Sequence, residues 1–395
     1  TAAGKLWRYE HATKEMIELS TQIKKRVITF FPTIINTTES AGMGHVLVQT
    51  RDSQSQQCGF ARIDIESGQI VKSMEESRPH QSWYFGGACI SNDNKMPFVV
   101  YISETSSEPP NLRMWSLASD ATKKITNFSS ILSDYAGETR VLTWKKDNKD
   151  AKGILLLPPG KQEKKIPVLL DVYAGINISG EVNSFGLNGS LVENRLLFTS
   201  RGYAVFKPEL PIHSHDPADE IEKGLVAALD KLSEYPELDM NRIGVMGHSF
   251  GGYTALVAIT RLPDRFKAAI SSAGSGGNLI SQATHFDPKY YNFNYDWAEH
   301  GQANLGVSIW ENKERYIRNS PIFDFDKIKT PLLILQGTRD HITYHEAGPT
   351  FSSLKRLGKT AELALYDENH GLASWKYENL ADYYKRIFQW LEKYM

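Results

Sequence analysis

Over the first ~137 residues, apolar and polar positions alternate with a period of two. "LWRYEHATKEMIEL" (6–19), "FARIDIESGQIVK" (60–72) and "LRMWSLASDATKKIT" (112–126) each alternate, pass a short polar turn and alternate again. That pattern predicts a β-hairpin. Further alternating runs, "GHVLVQTRD" and "MPFVVYISE", lie between them. A hairpin recurring at roughly 50 residues is the mark of four-stranded propeller blades. Residues 1–137 hold about two and a half such blades, whereas closure takes typically about 4–8. Open blade edges leave backbone unpaired and apolar faces uncovered. The expectation is therefore that the rest of a propeller precedes Thr1 or is supplied by another polypeptide. A start without methionine fits a processed or truncated end.

From residue 138 to 395 the period changes. Apolar runs "KGILLLPP", "IPVLLDVYA", "YAVFK", "RIGVM", "KAAIS" and "PLLILQG" alternate with helical stretches near 190–201, 217–234, 250–261, 346–357 and 375–393. Continuous apolar strands separated by helices predict a mostly parallel α/β sheet covered on both faces.

Composition changes this picture little. The apolar fraction is 41% and the formal net charge −1, which gives neither a nucleic-acid footprint nor a basic membrane-binding face. No apolar run reaches the roughly 18 residues of a membrane span. The N-terminal residues lack a charged-then-apolar leader, which tilts the expected location only slightly toward the cytoplasm. Cys58 and Cys89 are too few for a disulfide framework and read as two free thiols. The triplets at Asn36, Asn127, Asn177 and Asn188 fit glycosylation sequons, which arise often by chance.

The chemistry gathers where "RIGVM" meets "FGGYTALVAITRL". Gly247-His248-Ser249-Phe250-Gly251 is a G-x-S-x-G turn between a buried strand and a helix, the nucleophile elbow. Side chains at Gly247 and Gly251 would obstruct so sharp a turn, and the helix N-terminus favours negative charge beside Ser249. A serine nucleophile needs a base, and the base needs an orienting acid, in the chain order Ser, Asp/Glu, His. Asp340 follows the strand in "PLLILQGTRDHIT", and His370 follows the strand in "AELALYDENHGL". Both stand in the right order and place. Protonation of His370 would remove the base, so activity is expected to fall in mild acid.

Other residues compete for these roles. Asp367 sits on the strand end beside His370 and reads as a solvated neighbour; His248 reads as support for the elbow. His341 and His345 have the spacing of a metal pair but lack a third ligand, so neither a metal nor any other cofactor is expected. His213 and His215 read as loop residues near the site. An oxyanion needs two donors. The Phe250 N–H supplies one by position, and Tyr173, at the end of "VLLDVY", is a candidate for the other and equally for packing.

Taken together, "VLLDVYAG", "GHSFGGY", "RNSPI" (318–322), "PLLILQGTRD" and "ENHGLAS" resemble the prolyl oligopeptidase family of serine peptidases over essentially the whole chain. The resemblance implies an α/β-hydrolase domain carrying Ser249, Asp340 and His370, with the Tyr173 hydroxyl turned to the oxyanion. It also implies a β-propeller that covers the site and admits short peptides or flexible segments. "YAVFKPELPIHSHDP" (203–217) is closer to the glutamyl-endopeptidase-like and acylaminoacyl-peptidase-like branch than to prolyl or dipeptidyl members. The glutamates that hold a free amino terminus in dipeptidyl members have no recognisable match. Phe250, Tyr253 and Leu279 are candidates by position for the substrate pocket. Peptide hydrolysis through an acyl-enzyme on Ser249 is the leading reading. A carboxylesterase with the same triad and a non-catalytic binding scaffold are the alternatives.

Overall fold

The computed structural model describes residues 4–23, 26–31, 44–52, 57–78, 80, 88–91, 97–127, 134–146, 149–176, 178, 181–187, 195–274, 277–288, 292–340 and 344–395. The chain divides into two compact units, one of Thr1–Ala136 with Ser179–Leu196 and the other of Gly137–Ile178 with Leu197–Met395. A single boundary near 137 was the expectation, and the segment 179–196 departs from it. That segment joins the first unit because Gly186 donates its N–H to the Ser106 carbonyl at 3.2 Å, with Phe185 and Leu187 buried around it. Nothing in the local pattern of 179–196 announces that partner.

The first unit consists of antiparallel meanders. Trp7–Glu10 pairs with Glu15–Glu18 as a lone hairpin. Arg26–Phe31, His45–Arg51, Cys58–Asp64 and Ile70–Glu76 form one four-stranded sheet; Cys89–Ile90, Phe98–Ser103, Asn111–Ser116 and Thr122–Lys124 form another. Each expected hairpin is present. The period-two pattern explains their stacking. Val46, Val48, Ala61 and Ile63 pack with Leu6 and Leu19 of the hairpin. Leu47 and Phe60 project from the opposite face and pack with Val99, Tyr101 and Trp115 of the second sheet. A strand that buries both faces this way needs a neighbour on each side. Cys58 is buried.

Glu104 follows the Phe98–Ser103 strand and is 1% exposed. Among the described residues its carboxyl oxygens find no hydrogen-bond partner of good geometry, and burial pushes its pKa from 4.5 up to about 7, against a weak opposing pull from the Phe185 N–H. The folded state therefore holds a proton that the unfolded chain releases near pH 4.5. Stability falls as pH rises through that window and stays lower above it, by about 3 kcal/mol at 1.36 kcal/mol per unit. Glu104→Gln is expected to raise the melting temperature at pH 8 and leave it nearly unchanged at pH 4. Equal melting shifts at the two pH values would contradict a neutral buried carboxyl.

The second unit is built on an eight-stranded sheet. Its spatial order is Thr139–Lys146, Lys149–Leu156, Ala204–Pro208, Ile166–Asp171, Leu238–His248, Ala268–Ser272, Leu332–Gly337 and Ala361–Tyr366. The first two strands pair antiparallel to their neighbours, and every later pairing is parallel. The central strands are buried on both faces, as their unbroken apolar runs require. Helices Pro217–Leu232, Phe250–Arg261, Tyr344–Arg356 and Tyr377–Tyr394 cover the sheet. This is the α/β-hydrolase fold. Among the described residues no helix is long and apolar enough to cross a membrane.

"RNSPI" proves to be a hub. Asn319 and Ser320 are each 1% exposed. The Asn319 side chain accepts from the Ala218 N–H at 2.9 Å and donates to Asp216, while its carbonyl accepts from the Tyr253 hydroxyl at 2.8 Å. Ser320 Oγ accepts from the Leu279 N–H at 2.9 Å. Arg318 pairs with Asp216 on the rim. The motif thus ties together three helices beneath the elbow.

Candidate active site

Ser249 stands between the strand Leu238–His248 and the helix Phe250–Arg261. Its φ of 59° lies in a region that costs a non-glycine residue on the order of 1–3 kcal/mol. Tertiary contacts hold it there. The Ser249 N–H donates to the Ser272 carbonyl of the adjacent strand at 2.9 Å. A Cβ at Gly247 would fall 2.1 Å from the Gly251 carbonyl oxygen, and one at Gly251 would fall 2.3 Å from that of Val172. Both glycines are therefore dictated by close approach. The turn lifts Ser249 Oγ clear of the sheet.

Asp340 and His370 arrive on the turns after the last two strands. Gly337 brings these turns together, since a Cβ there would lie 2.4 Å from the Glu368 carbonyl oxygen. Thr338 and Arg339 then donate backbone N–H groups to the carbonyls of Tyr366 at 2.7 Å and Glu368 at 2.9 Å. Asp340 is 1% exposed, and its Oδ2 accepts from Gln336 Nε2 at 3.0 Å and from His370 Nδ1 at 2.7 Å. With Nδ1 donating to the carboxylate, Nε2 is left as an acceptor, and it lies 2.9 Å from Ser249 Oγ. Serine, histidine and aspartate form one unbroken hydrogen-bonded line.

Residues that the motifs do not advertise hold this line in place. Glu368, 2% exposed, accepts from the Lys376 N–H and from Asn379 Nδ2, each at 2.8 Å. Burial pushes the Glu368 pKa up, but these hydrogen bonds and the nearby Arg339 charge prevail and hold its carboxyl below the usual range. The Trp375 indole donates to the Asn369 carbonyl at 2.8 Å and pins the other side of the loop. Gln336 does leave a trace in the sequence, as the one polar residue in the apolar run "LLILQG". Glu368 leaves none.

The remaining candidates separate by position. His248 bonds Ser272 Oγ through Nδ1 at 3.1 Å, and its ring centre lies 5.0 Å from that of His370. Asp367 is exposed and pairs with Arg339 at 3.1 Å. His215 bonds the Asn304 carbonyl at 2.9 Å, and His345 stacks on His285 with centres 4.0 Å apart. His341 lies outside the described residues, among which no group of three or more His, Cys, Asp or Glu could hold a metal ion. Phe250, Tyr253 and Leu279 are fully buried in the core; Phe250 and Tyr253 stack at 5.0 Å. Tyr173 packs edge-on against Phe250 at 6.2 Å, and its hydroxyl bonds Gln302 Nε2 at 2.9 Å.

Residues 213–395, which contain all three members of the line, match the model of the prolyl oligopeptidase family. This stretch is a prolyl oligopeptidase family domain. The chain is 25% identical over 317 residues to a protein of Arabidopsis thaliana described as "Probable glutamyl endopeptidase, chloroplastic", a match covering 74% of this chain and 31% of that one. It is 24% identical over 272 residues to dipeptidyl-peptidase 5 of Porphyromonas gingivalis, covering 65% and 36%. Acylaminoacyl peptidase from Pyrococcus horikoshii superposes with a TM-score of 0.72 at 21% identity, covering 99% of this chain and 59% of that one. The chain therefore spans about a third of the length of these curated relatives. The likeness to the solved structure establishes the fold.

Proposed function

We propose that the chain hydrolyses peptide bonds of short peptides or flexible segments through an acyl-enzyme on Ser249. The observation that carries this reading is the line from Ser249 Oγ to His370 Nε2 at 2.9 Å and from His370 Nδ1 to Asp340 Oδ2 at 2.7 Å, set behind a strained elbow. Ser249 attacks the carbonyl carbon while His370 takes its proton, and Asp340 stabilises the imidazolium. The carbonyl oxygen becomes an oxyanion. The Phe250 N–H at the start of its helix and the Tyr173 hydroxyl donate to it. His370 then returns the proton to the leaving amine, the C–N bond breaks, and water repeats the cycle to free the acid and Ser249.

Peptides are favoured over simple esters because the family and the curated relatives named above are peptidases. A rapid-mixing assay with p-nitrophenyl acetate, beside a library of peptide p-nitroanilides, tests the proposal. An initial burst of p-nitrophenol with steady cleavage of peptide anilides is expected. Turnover confined to the ester would replace a peptidase by a carboxylesterase. The absence of burst and cleavage alike would leave a binding scaffold.

A further inference from the structure

We propose that Gln302 is a positioning residue that fixes the direction of the Tyr173 O–H bond. This inference rests on the proposed role of Tyr173 as an oxyanion donor. A phenol is both donor and acceptor, so a tyrosine beside an oxyanion is useful only when its proton is aimed there. The surroundings of Gln302 determine that aim.

The Trp297 indole N–H, which can only donate, lies 3.3 Å from Gln302 Oε1. Reversing the amide would set two donors against each other, so Oε1 must face the indole and the NH2 group must face outward. Gln302 Nε2 then lies 2.9 Å from the Tyr173 hydroxyl oxygen, which has to accept. With that lone pair engaged by a donor, the phenolic proton points away from Gln302 and remains available to a reacting oxygen. Polarity is thus passed from an indole through an amide to a phenol.

The backbone is shaped to make this relay. The helix Tyr295–Glu299 ends in a tight turn in which both the His300 and the Gly301 N–H groups reach the Asp296 carbonyl at 2.8 Å. A Cβ at Gly301 would lie 2.7 Å from Trp297 Cα, so only glycine lets the chain fold back and set Gln302 beside the indole. Trp297 is itself held edge-on against Phe250 at 5.8 Å. Beyond the turn, Ala303 and Leu305 are fully buried and anchor the segment.

Gln302→Glu tests the relay with little change of shape. A carboxylate at that position accepts from both sides and draws the Tyr173 proton away from the oxyanion. With p-nitrophenyl acetate as probe, kcat is expected to fall roughly 30-fold, short of the 10²–10³ that complete loss of an oxyanion donor costs, because the donor is turned away and not removed. KM should hold within about twofold, because the donor acts only in the transition state. Adding Gln302→Glu to Tyr173→Phe should cost nothing further. The ratio of variant to parent kcat should rise toward acid, as the new carboxyl gains a proton it can donate. A parent-like kcat in Gln302→Glu, or full additivity with Tyr173→Phe, would overturn the proposal. A parent-like kcat in Tyr173→Phe is a different failure, since it would remove the oxyanion role of Tyr173 itself.

Discussion

Ser249→Ala is expected to lower kcat on a peptide p-nitroanilide by about 10⁵–10⁶, the loss that follows removal of a triad serine. The size follows from the geometry. His370 Nε2 meets Ser249 Oγ at 2.9 Å, so the hydroxyl is the group the base is placed to deprotonate. Without it, water must be attacked by a base built for another atom. The oxyanion donors survive the change, so a residual rate roughly 10³–10⁴ above the uncatalysed reaction should remain. The fold should not suffer, because alanine also relieves little at a φ of 59° that neighbouring strands impose. A melting temperature within a few degrees of the parent, with activity gone, separates chemistry from stability. Retention of more than a hundredth of the parent kcat would contradict the nucleophile.

The second large effect is expected at the other end of the line. Asp340→Ala should lower kcat by about 10⁴ with a much smaller change in KM. Asp340 is 1% exposed, and its Oδ2 alone receives both the His370 Nδ1–H and the Gln336 amide. Removing the carboxylate leaves the imidazole free to flip or to take the wrong tautomer, and nothing then offsets the positive charge formed when it accepts the serine proton. Gln336 Nε2 keeps the Gly337 carbonyl at 3.1 Å but loses its bond to the carboxylate, so some loss of stability, about 1–3 kcal/mol, should accompany the loss of rate. Measuring kcat and thermal unfolding on the same preparation distinguishes the two. A tenfold drop or less in kcat would mean that His370 is oriented by something other than Asp340.

The triad positions and the α/β sheet were legible because each rests on local signals that coincide. Ser249 lies in a glycine turn between a buried strand and a helix, and Asp340 and His370 each follow an apolar run. The hairpins of the first unit were legible for a related reason: period-two alternation is a local property. What escaped was set by partners distant in sequence. Nothing near Gln302 signals that an indole five residues earlier and a tyrosine 129 residues away fix its amide. Glu368 reads as an ordinary acidic loop residue until its contacts with Lys376 and Asn379 are seen. The strand Thr139–Lys146 lies at the sheet edge, half exposed, and lacks the apolar run that marks its inner neighbours. The helices Leu279–Thr284 and Lys313–Arg318 are too short for a period, although the side chains of Asn278 and Asn312 cap them. Phe250, Tyr253 and Leu279 were placed near a pocket by position, and all three are core residues whose burial only the fold reveals.

The central claim is that Ser249 carries the acyl group, and covalent capture tests it most directly. A fluorophosphonate added to the folded chain should shift the intact mass by one adduct, and peptide mapping should place that adduct on Ser249. Ser249→Ala should stay unlabelled, and His370→Ala should label far more slowly. An adduct on any other residue, or equal labelling of the parent and Ser249→Ala, would contradict the account.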